Sequence, residues 1–162
     1  MIAKYHESFF IYEINEIKDG QVRIWRFEPF EDFSMRITRG GNHIYEKFID
    51  ITEIEDIFAV VFAVEWSGHW FGAEYLPVSQ TVRLFSSDTN MIEKFNMSPN
   101  SIASYYYAFE KGVWDLYVDI DSCNGFKVTY EDYRTGEYTS QTVSKEEWID
   151  LWNKFIVELL PH

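Results

Sequence analysis

The chain has few of the residues on which disulfide, metal and redox sites depend. Only one of its 162 residues, Cys123, is a cysteine, so no disulfide can form within the chain and a reducing compartment is expected. The histidines lack the spacing that brings two ligands to one metal ion. They are His6, His43, His69 and His162. Glycine-rich phosphate loops and the Gly-x-Ser-x-Gly signature are also missing. We therefore expect no cofactor, no metal site and no enzymatic activity.

Basic side chains are scarce. The sequence has 14 Lys and Arg against 27 Asp and Glu, which gives a formal net charge of -13 and a pI near 4.6. A field of this sign repels nucleic-acid phosphates and anionic lipids, and it speeds association with a basic protein. We expect a basic protein partner and no direct binding to nucleic acid or membrane. An acidic surface that only keeps the protein in solution is the alternative.

Long hydrophobic runs are missing. The longest, at residues 57–64, is too short to cross a bilayer. The first 18 residues are interrupted by His6, Glu7 and Glu13, so we expect no signal peptide. A hydrophobic content of 46% and an aromatic content of 19% are ample for a folded core. We predict one cytoplasmic domain over residues 1–162.

The last third of the chain has the clearest pattern. Apolar and polar side chains alternate over residues 114–121, 126–131 and 137–143, which predicts three antiparallel strands. Ser144 and Glu147 then form a capping box, and an apolar stripe follows at helical spacing. The stripe consists of Trp148, Leu151, Trp152, Phe155 and Leu159. We predict an amphipathic C-terminal helix that lies across the sheet.

Earlier segments also alternate and are separated by turn signals. Strands are predicted at residues 4–17, 21–27, 34–38, 43–51, 70–76 and 81–85. Asp19-Gly20 and the Gly40-Gly41-Asn42 turn join the first four into two hairpins. Pro99 and Gly112 are placed to begin and end a helix at residues 99–111. The predicted fold class is α+β, an antiparallel sheet with helices packed on one face.

The segment after residue 52 fits two structures. Thr52 and Glu55 form a capping box, apolar side chains follow at helical spacing, and Gly68 is placed to end a helix. The same segment alternates with a period of two over residues 58–66, and its β-branched content is typical of a strand. We predict a helix because both ends carry boundary signals, and the strand remains the alternative.

An acidic loop follows the first C-terminal strand. Oxygen-bearing side chains within residues 119–124 precede Gly125, and Glu131 stands where a calcium loop has its bidentate carboxylate. The loop has one residue too many before the glycine, and it is flanked by strands. We predict a metal-free hairpin turn at Asn124-Gly125. Cys123 lies among carboxylates, which raise the pKa of a thiol, so it is not expected to be a nucleophile.

The alternation predicts an outward set of carboxylates and tyrosines. The set is Asp115, Tyr117, Asp119 and Asp121 on one strand, with Glu131 and Tyr133 beside them on the next. Like charges opposite each other cost a sheet about 0.2–1 kcal/mol per pair. A fold tolerates them more readily when a partner's basic side chains neutralise them and tyrosines act as anchors. We predict a partner-binding surface here, with a merely solvated face as the alternative.

A second candidate site surrounds His69. Glycines on both sides of His69 allow a loop, and Trp66, Trp70 and Tyr75 would wall an aromatic pocket. This pattern favours an alternative function, a small-molecule binder or an enzyme that uses His69 as a general base. A histidine at a turn or sheet end is the simpler interpretation.

Part of the C-terminal pattern resembles a known group of proteins. Trp114, the run GFKVTYEDY at residues 125–133 and the acidic helix that follows resemble the end of bacterial immunity proteins and antitoxins, of the YezG type or the contact-dependent-inhibition immunity type. Such proteins are small, acidic and non-enzymatic, and they neutralise a toxin that is often a nuclease with a basic active site. The resemblance implies a binding role at Asp132 and Tyr133. A nucleic-acid mimic, whose carboxylates replace phosphates, is a further alternative.

Overall fold

The computed structural model describes residues 1–12, 20–99 and 113–159. Over these ranges the chain is mainly antiparallel sheet. The strands are β1 (Ile2–Tyr5), β2 (Ser8–Tyr12), β3 (Gln21–Arg26), β4 (Ser34–Ile37), β5 (His43–Asp50), β6 (Asp56–Trp66), β7 (His69–Leu76), β8 (Thr81–Ser86), β9 (Ser98–Pro99), β10 (Trp114–Asp119), β11 (Gly125–Asp132) and β12 (Tyr138–Val143). The helices are α1 (Thr89–Phe95) and α2 (Lys145–Trp152), and α2 continues as π-helix over Asn153–Val157. No helix in these ranges has the length and apolar composition needed to cross a bilayer.

The chain divides into two compact units, each assembled from separate stretches. Unit 1 contains Met1–Val60, Thr129–Thr139 and Leu151–His162. Unit 2 contains Val61–Val128 and Ser140–Asp150. That residues 1–162 act as one domain stays a prediction.

Unit 1 contains the strands β4, β5, β3, β2 and β1, paired in that order, and the first part of β6, which pairs with β1. It also contains the last part of β11 and the first part of β12, and β11 pairs with both β6 and β12. Alternation along β2 turns Phe10 and Tyr12 inward, where they join the core. The pairing of β4 with β5 confirms the second predicted hairpin, and the pairing of β2 with β3 confirms the strand neighbours predicted for the first. The single strand predicted at residues 4–17 is wrong, because His6 and Glu7 adopt positive φ and fold it into the β1-β2 hairpin. Residues 13–17 of that predicted strand, and Asp19 of the predicted turn, lie outside the described residues.

Unit 2 contains the later part of β6 and the strands β7, β8, β10 and β9, paired in that order. Its core includes a fully buried tryptophan from α2, Trp148. The rings of Phe62, Tyr75 and Phe126 surround that indole at centroid distances of 5.4, 6.2 and 5.6 Å. The β6-β7 turn uses Ser67 and Gly68 at positive φ, the geometry of a tight two-residue hairpin.

The helix predicted after residue 52 is wrong, and the strand alternative is correct. Residues 56–66 form β6, and burial alternates over much of its length. The capping box lies two residues earlier than expected, where Asp50 caps the single 3-10 turn Ile51–Glu53. Gly68 supplies the hairpin turn and does not end a helix. The predicted α+β class counted this segment as a helix. Because it is a strand, the helical content is lower than predicted and the fold is mainly β.

The predicted hairpin at Asn124-Gly125 is also wrong. β10 pairs with β8 and β9, whereas β11 pairs with β6 and β12. The chain leaves β10 through a 3-10 turn at Ile120–Ser122, and the Asn124 amide then donates to the Glu65 carbonyl at 2.8 Å. The strands predicted at residues 126–131 and 137–143 are confirmed as β11 and β12, which pair with each other.

The C-terminal helix is confirmed. The Ser144 hydroxyl accepts a hydrogen bond from the Glu147 amide at 3.1 Å, as expected at a capped helix start. Four of the five predicted stripe residues are buried: Trp148, Trp152, Phe155 and Leu159. The helix predicted at residues 99–111 lies outside the described residues, apart from Pro99, which belongs to β9.

Candidate functional site

Asp115 is the clearest exception to the predicted surface. It is 5% exposed, and its Oδ2 accepts a hydrogen bond from Arg83 Nε at 2.7 Å. Arg83 also binds Glu74 at 3.0 Å. A buried carboxylate needs a cation beside it, and β8 supplies one. The prediction that Asp115 faces outward is therefore wrong.

The other three predicted residues of that stretch are accessible in unit 2. Tyr117 is 48% exposed. The Asp119 carboxylate accepts the Asp121 amide at 2.8 Å and so holds the 3-10 turn. Asp121 is exposed, but its carboxylate forms a salt bridge with Lys145 at 2.7 Å. Of the acidic groups predicted here, Asp119 and Asp121 remain at the surface, both engaged by local hydrogen bonds.

The second predicted stretch lies in unit 1. The Tyr138 hydroxyl donates to Glu131 at 2.8 Å. The Asp132 carboxylate accepts the amides of Thr135 at 3.0 Å and Arg134 at 2.7 Å, and these bonds lower the pKa of Asp132. Tyr133 is 44% exposed. The two predicted stretches thus belong to different units and to strands that do not pair, so the expected side-by-side arrangement is wrong.

The side chains expected to form an aromatic pocket around His69 make separate contacts instead. His69 Nε2 lies 2.7 Å from Lys94 Nζ. The rings of His69 and Trp66 both contact the ring of Phe95 on α1. Trp70 lies beneath Lys127 Nζ at 4.4 Å. Tyr75 is buried against Trp148.

Cys123 follows the 3-10 turn in unit 2. Burial, and after it the nearby charge of Asp119, raise the pKa of this thiol to about 11. A thiol that remains protonated at neutral pH is a poor nucleophile.

A cleft in unit 1 brings together residues that are far apart in the sequence. It has a volume of about 360 Å³. Its lining comes from strands β1, β2, β6, β11 and β12 and from the turn before β12. The lining residues are Lys4, Phe9, Asp56, Phe58, Tyr130, Asp132, Glu137 and Thr139. Of the residues singled out from the sequence as a binding site, Asp132 alone lines it.

The apolar wall of the cleft belongs to a cluster of four rings, which we call the aromatic cluster: Phe9, Phe58, Tyr130 and Phe155. Phe155 comes from the C-terminal helix and lies edge-on to the other three at centroid distances of 5.2 to 6.1 Å. Edge-to-face contacts of this kind fix the orientation of each ring. The helix therefore holds the cleft wall in place.

The polar side of the cleft is acidic. Lys4 Nζ is already bound by Glu55 at 2.8 Å and Glu7 at 3.2 Å, and these bonds raise the pKa of Lys4. Asp56 and Glu137 are exposed, and no other group in the described part of the chain forms a hydrogen bond or salt bridge with either carboxylate. Asp132 completes the set. The charge facing the cleft is therefore negative.

The β1-β2 turn beside Lys4 is strained. His6 and Glu7 have φ values of 48° and 59°, a conformation that costs a side-chain-bearing residue about 1–2 kcal/mol. Three contacts offset the strain. His6 stacks on Tyr5 at 4.1 Å, Lys4 binds Glu7, and the Glu7 amide donates to Glu55.

Sequence reasoning missed this cleft because its residues come from both ends of the chain. The arrangement can hold a cation between carboxylates and ring faces. Within the described ranges, no three His, Cys, Asp or Glu side chains are grouped so that they could hold a metal ion. Comparison of the chain with protein-family models, curated proteins and solved structures finds no match.

Proposed function

We propose that this protein masks a basic protein partner by charge-complementary contact and performs no chemistry itself. The observation that carries the proposal is a difference between the basic and the acidic side chains. In the described chain most basic side chains are engaged by the protein's own groups, while exposed carboxylates remain available.

The best-buried cations are paired with the protein's own acids. Arg83 binds Asp115 and Glu74, and Arg23 binds Glu46 at 3.1 Å. Such pairs offset desolvation inside the fold and contribute no positive charge to the surface.

Other cations lie against aromatic rings. Lys127 lies 4.4 Å from the centroid of Trp70, and Lys154 lies 4.9 Å from that of Phe9. Lys47 donates to the Tyr5 hydroxyl at 3.3 Å. These contacts engage the ammonium groups with the protein's own aromatic side chains.

Carboxylates outnumber basic side chains by 27 to 14, so the chain keeps a net charge of -13 after all of its own cations are counted. Opposite fields raise the association rate of two proteins by about 10- to 1,000-fold and disfavour partners of like charge. A small acidic protein with this property suits the inhibition of a basic toxin. The resemblance of residues 125–133 to immunity proteins and antitoxins makes a nuclease the first toxin class to examine.

Titration into purified basic toxin domains tests this function. Residual toxin activity is measured against the molar ratio of the two proteins. The proposal predicts complete inhibition of one toxin at about one equivalent, with the toxin recovered intact after separation. Inhibition at far less than one equivalent, or a covalently altered toxin, would indicate catalysis and contradict the proposal. Failure to inhibit any basic toxin, nucleases included, would also contradict it.

A further inference from the structure

We propose that the cleft in unit 1 receives an arginine side chain. The identity of its donor, the basic protein partner, rests on the proposed function. The affinity of the cleft for a guanidinium group is a property of this chain alone and can be tested without that partner.

The dimensions of the cleft suit a single side chain. Its volume of about 360 Å³ lies at the small end of the range for ligand pockets, about 300–1,000 Å³. Aromatic residues line one part, and three carboxylates, a threonine and Lys4 line the rest. An arginine has the same division, because its methylene stem is apolar and its head is charged and planar.

The aromatic cluster gives the stem and the planar head a surface to lie on. Phe9, Phe58 and Tyr130 contribute to the wall, and Phe155 fixes their rings from the helix. One of these rings already attracts a cation, since Lys154 Nζ lies 4.9 Å from the centroid of Phe9. Guanidinium groups stack on ring faces more readily than ammonium groups do.

The carboxylates supply acceptors for the guanidinium N–H groups. Asp56 and Glu137 are exposed, and their carboxylates form no hydrogen bond or salt bridge within the described chain. Asp132 is held by the amides of Arg134 and Thr135, so its position is fixed before a ligand arrives. A guanidinium carries five donors in a planar fork that fits two carboxylates at once.

Lys4 does not make the cleft favour an anion over a cation. Glu7 and Glu55 hold its ammonium group within 3.2 and 2.8 Å, so its charge is already matched. An anionic ligand would face Asp56, Asp132 and Glu137 with no unmatched cation among the lining residues. The cleft therefore favours a cation, and the aromatic cluster favours a planar one.

An NMR titration with capped single amino acids tests the inference. The probes are N-acetyl-arginine methylamide, the lysine equivalent and the citrulline equivalent, which has nearly the shape of arginine without its charge. The arginine probe is expected to shift the backbone amides of Asp56, Phe58 and Tyr130 with a millimolar dissociation constant. The lysine probe should bind more weakly, and the citrulline probe should cause no saturable shift.

Charge-neutralising variants locate the site. Asp56→Asn and Glu137→Gln should each weaken the arginine probe by about threefold to tenfold, because each removes one charge-assisted acceptor at an exposed position. Glu31→Gln is the matched control, since Glu31 is exposed and does not line the cleft. It changes the net charge equally and should leave the affinity within a factor of about 1.5. Dispersed amide spectra confirm that each variant is folded.

In the titration, the inference is overturned by no shift at the cleft residues, by equal binding of citrulline and arginine, or by tighter binding of lysine. An equal loss of affinity in Glu31→Gln would overturn it too, because it would show attraction to the overall charge and not to this site. These results involve no protein partner, so they are separate from toxin inhibition, which tests the proposed function.

Discussion

Arg83 and Asp115 are diagonal neighbours on the paired strands β8 and β10, and they form a buried salt bridge in unit 2. Asp115 lies opposite Phe85, and Arg83 lies opposite Tyr117. The Nε to Oδ2 distance is 2.7 Å, and the two side chains are 3% and 5% exposed. A position that alternation assigns to the surface is thus part of the interior, because the neighbouring strand supplies its counterion.

Asp115→Ala should lower the free energy of unfolding by about 3–5 kcal/mol, because it leaves the Arg83 guanidinium buried with one carboxylate fewer. Urea denaturation followed by circular dichroism measures the change. Asp121→Asn is the control, since it breaks an exposed salt bridge with Lys145 and should cost less than about 1 kcal/mol. Equal losses of unfolding free energy in the two variants would show that the buried salt bridge stabilises the protein no more than the exposed one.

Trp148→Ala should lower the free energy of unfolding by about 3–5 kcal/mol, because it empties a site enclosed by Phe62, Tyr75 and Phe126. Trp148→Phe fills part of that space and should cost clearly less. Chemical denaturation gives both values. If the alanine variant were as stable as the phenylalanine variant, Trp148 would not be central to the core of unit 2.

Gly125→Ala should destabilise the protein by about 1–3 kcal/mol through overpacking, because the added methyl group would lie 3.1 Å from Glu65 Oε2 and 3.1 Å from Trp70 Cη2. Gly40→Ala is the matched control, since the nearest atom to its methyl group, Thr38 Oγ1, is 3.9 Å away. Melting temperatures of the two variants provide the comparison. A Gly125→Ala protein that melts no lower than the control contradicts the close approach.

Cys123 should react slowly with iodoacetamide near neutral pH. Its pKa of about 11 leaves far less thiolate than a free cysteine has at pH 8, so alkylation should be roughly 100-fold slower. Because the raised pKa belongs to the thiol, the rate should rise with pH until about 11. Mass spectrometry of the alkylated protein measures the rate. A rate at pH 8 equal to that of the unfolded protein would contradict this assignment.

The sequence predicts local structure well where one periodicity dominates. The C-terminal helix follows from the spacing of Trp148, Trp152, Phe155 and Leu159 and from the cap at Ser144. Residues 56–66 fit both periodicities because apolar side chains fill many positions on either spacing, so only the capping signal favours a helix. That signal belongs to the short turn capped by Asp50.

The sequence does not predict which strands pair or where the cleft forms, and the reason is different. Alternation identifies β10 and β11 as strands, but it does not state that β8 and β6 are their neighbours. The burial of Asp115 and the formation of the cleft both depend on those pairings. The resemblance of residues 125–133 indicates Asp132, whereas no local pattern marks Asp56 or Glu137.

We propose that the unmatched carboxylates attract the basic partner. The most direct test is the association rate constant with the inhibited toxin, measured by stopped flow between 50 and 500 mM NaCl. We predict a fall of at least about tenfold over this range, with a much smaller change in the dissociation rate, because salt screens attraction between exposed charges. An association rate that does not change with salt would contradict the account.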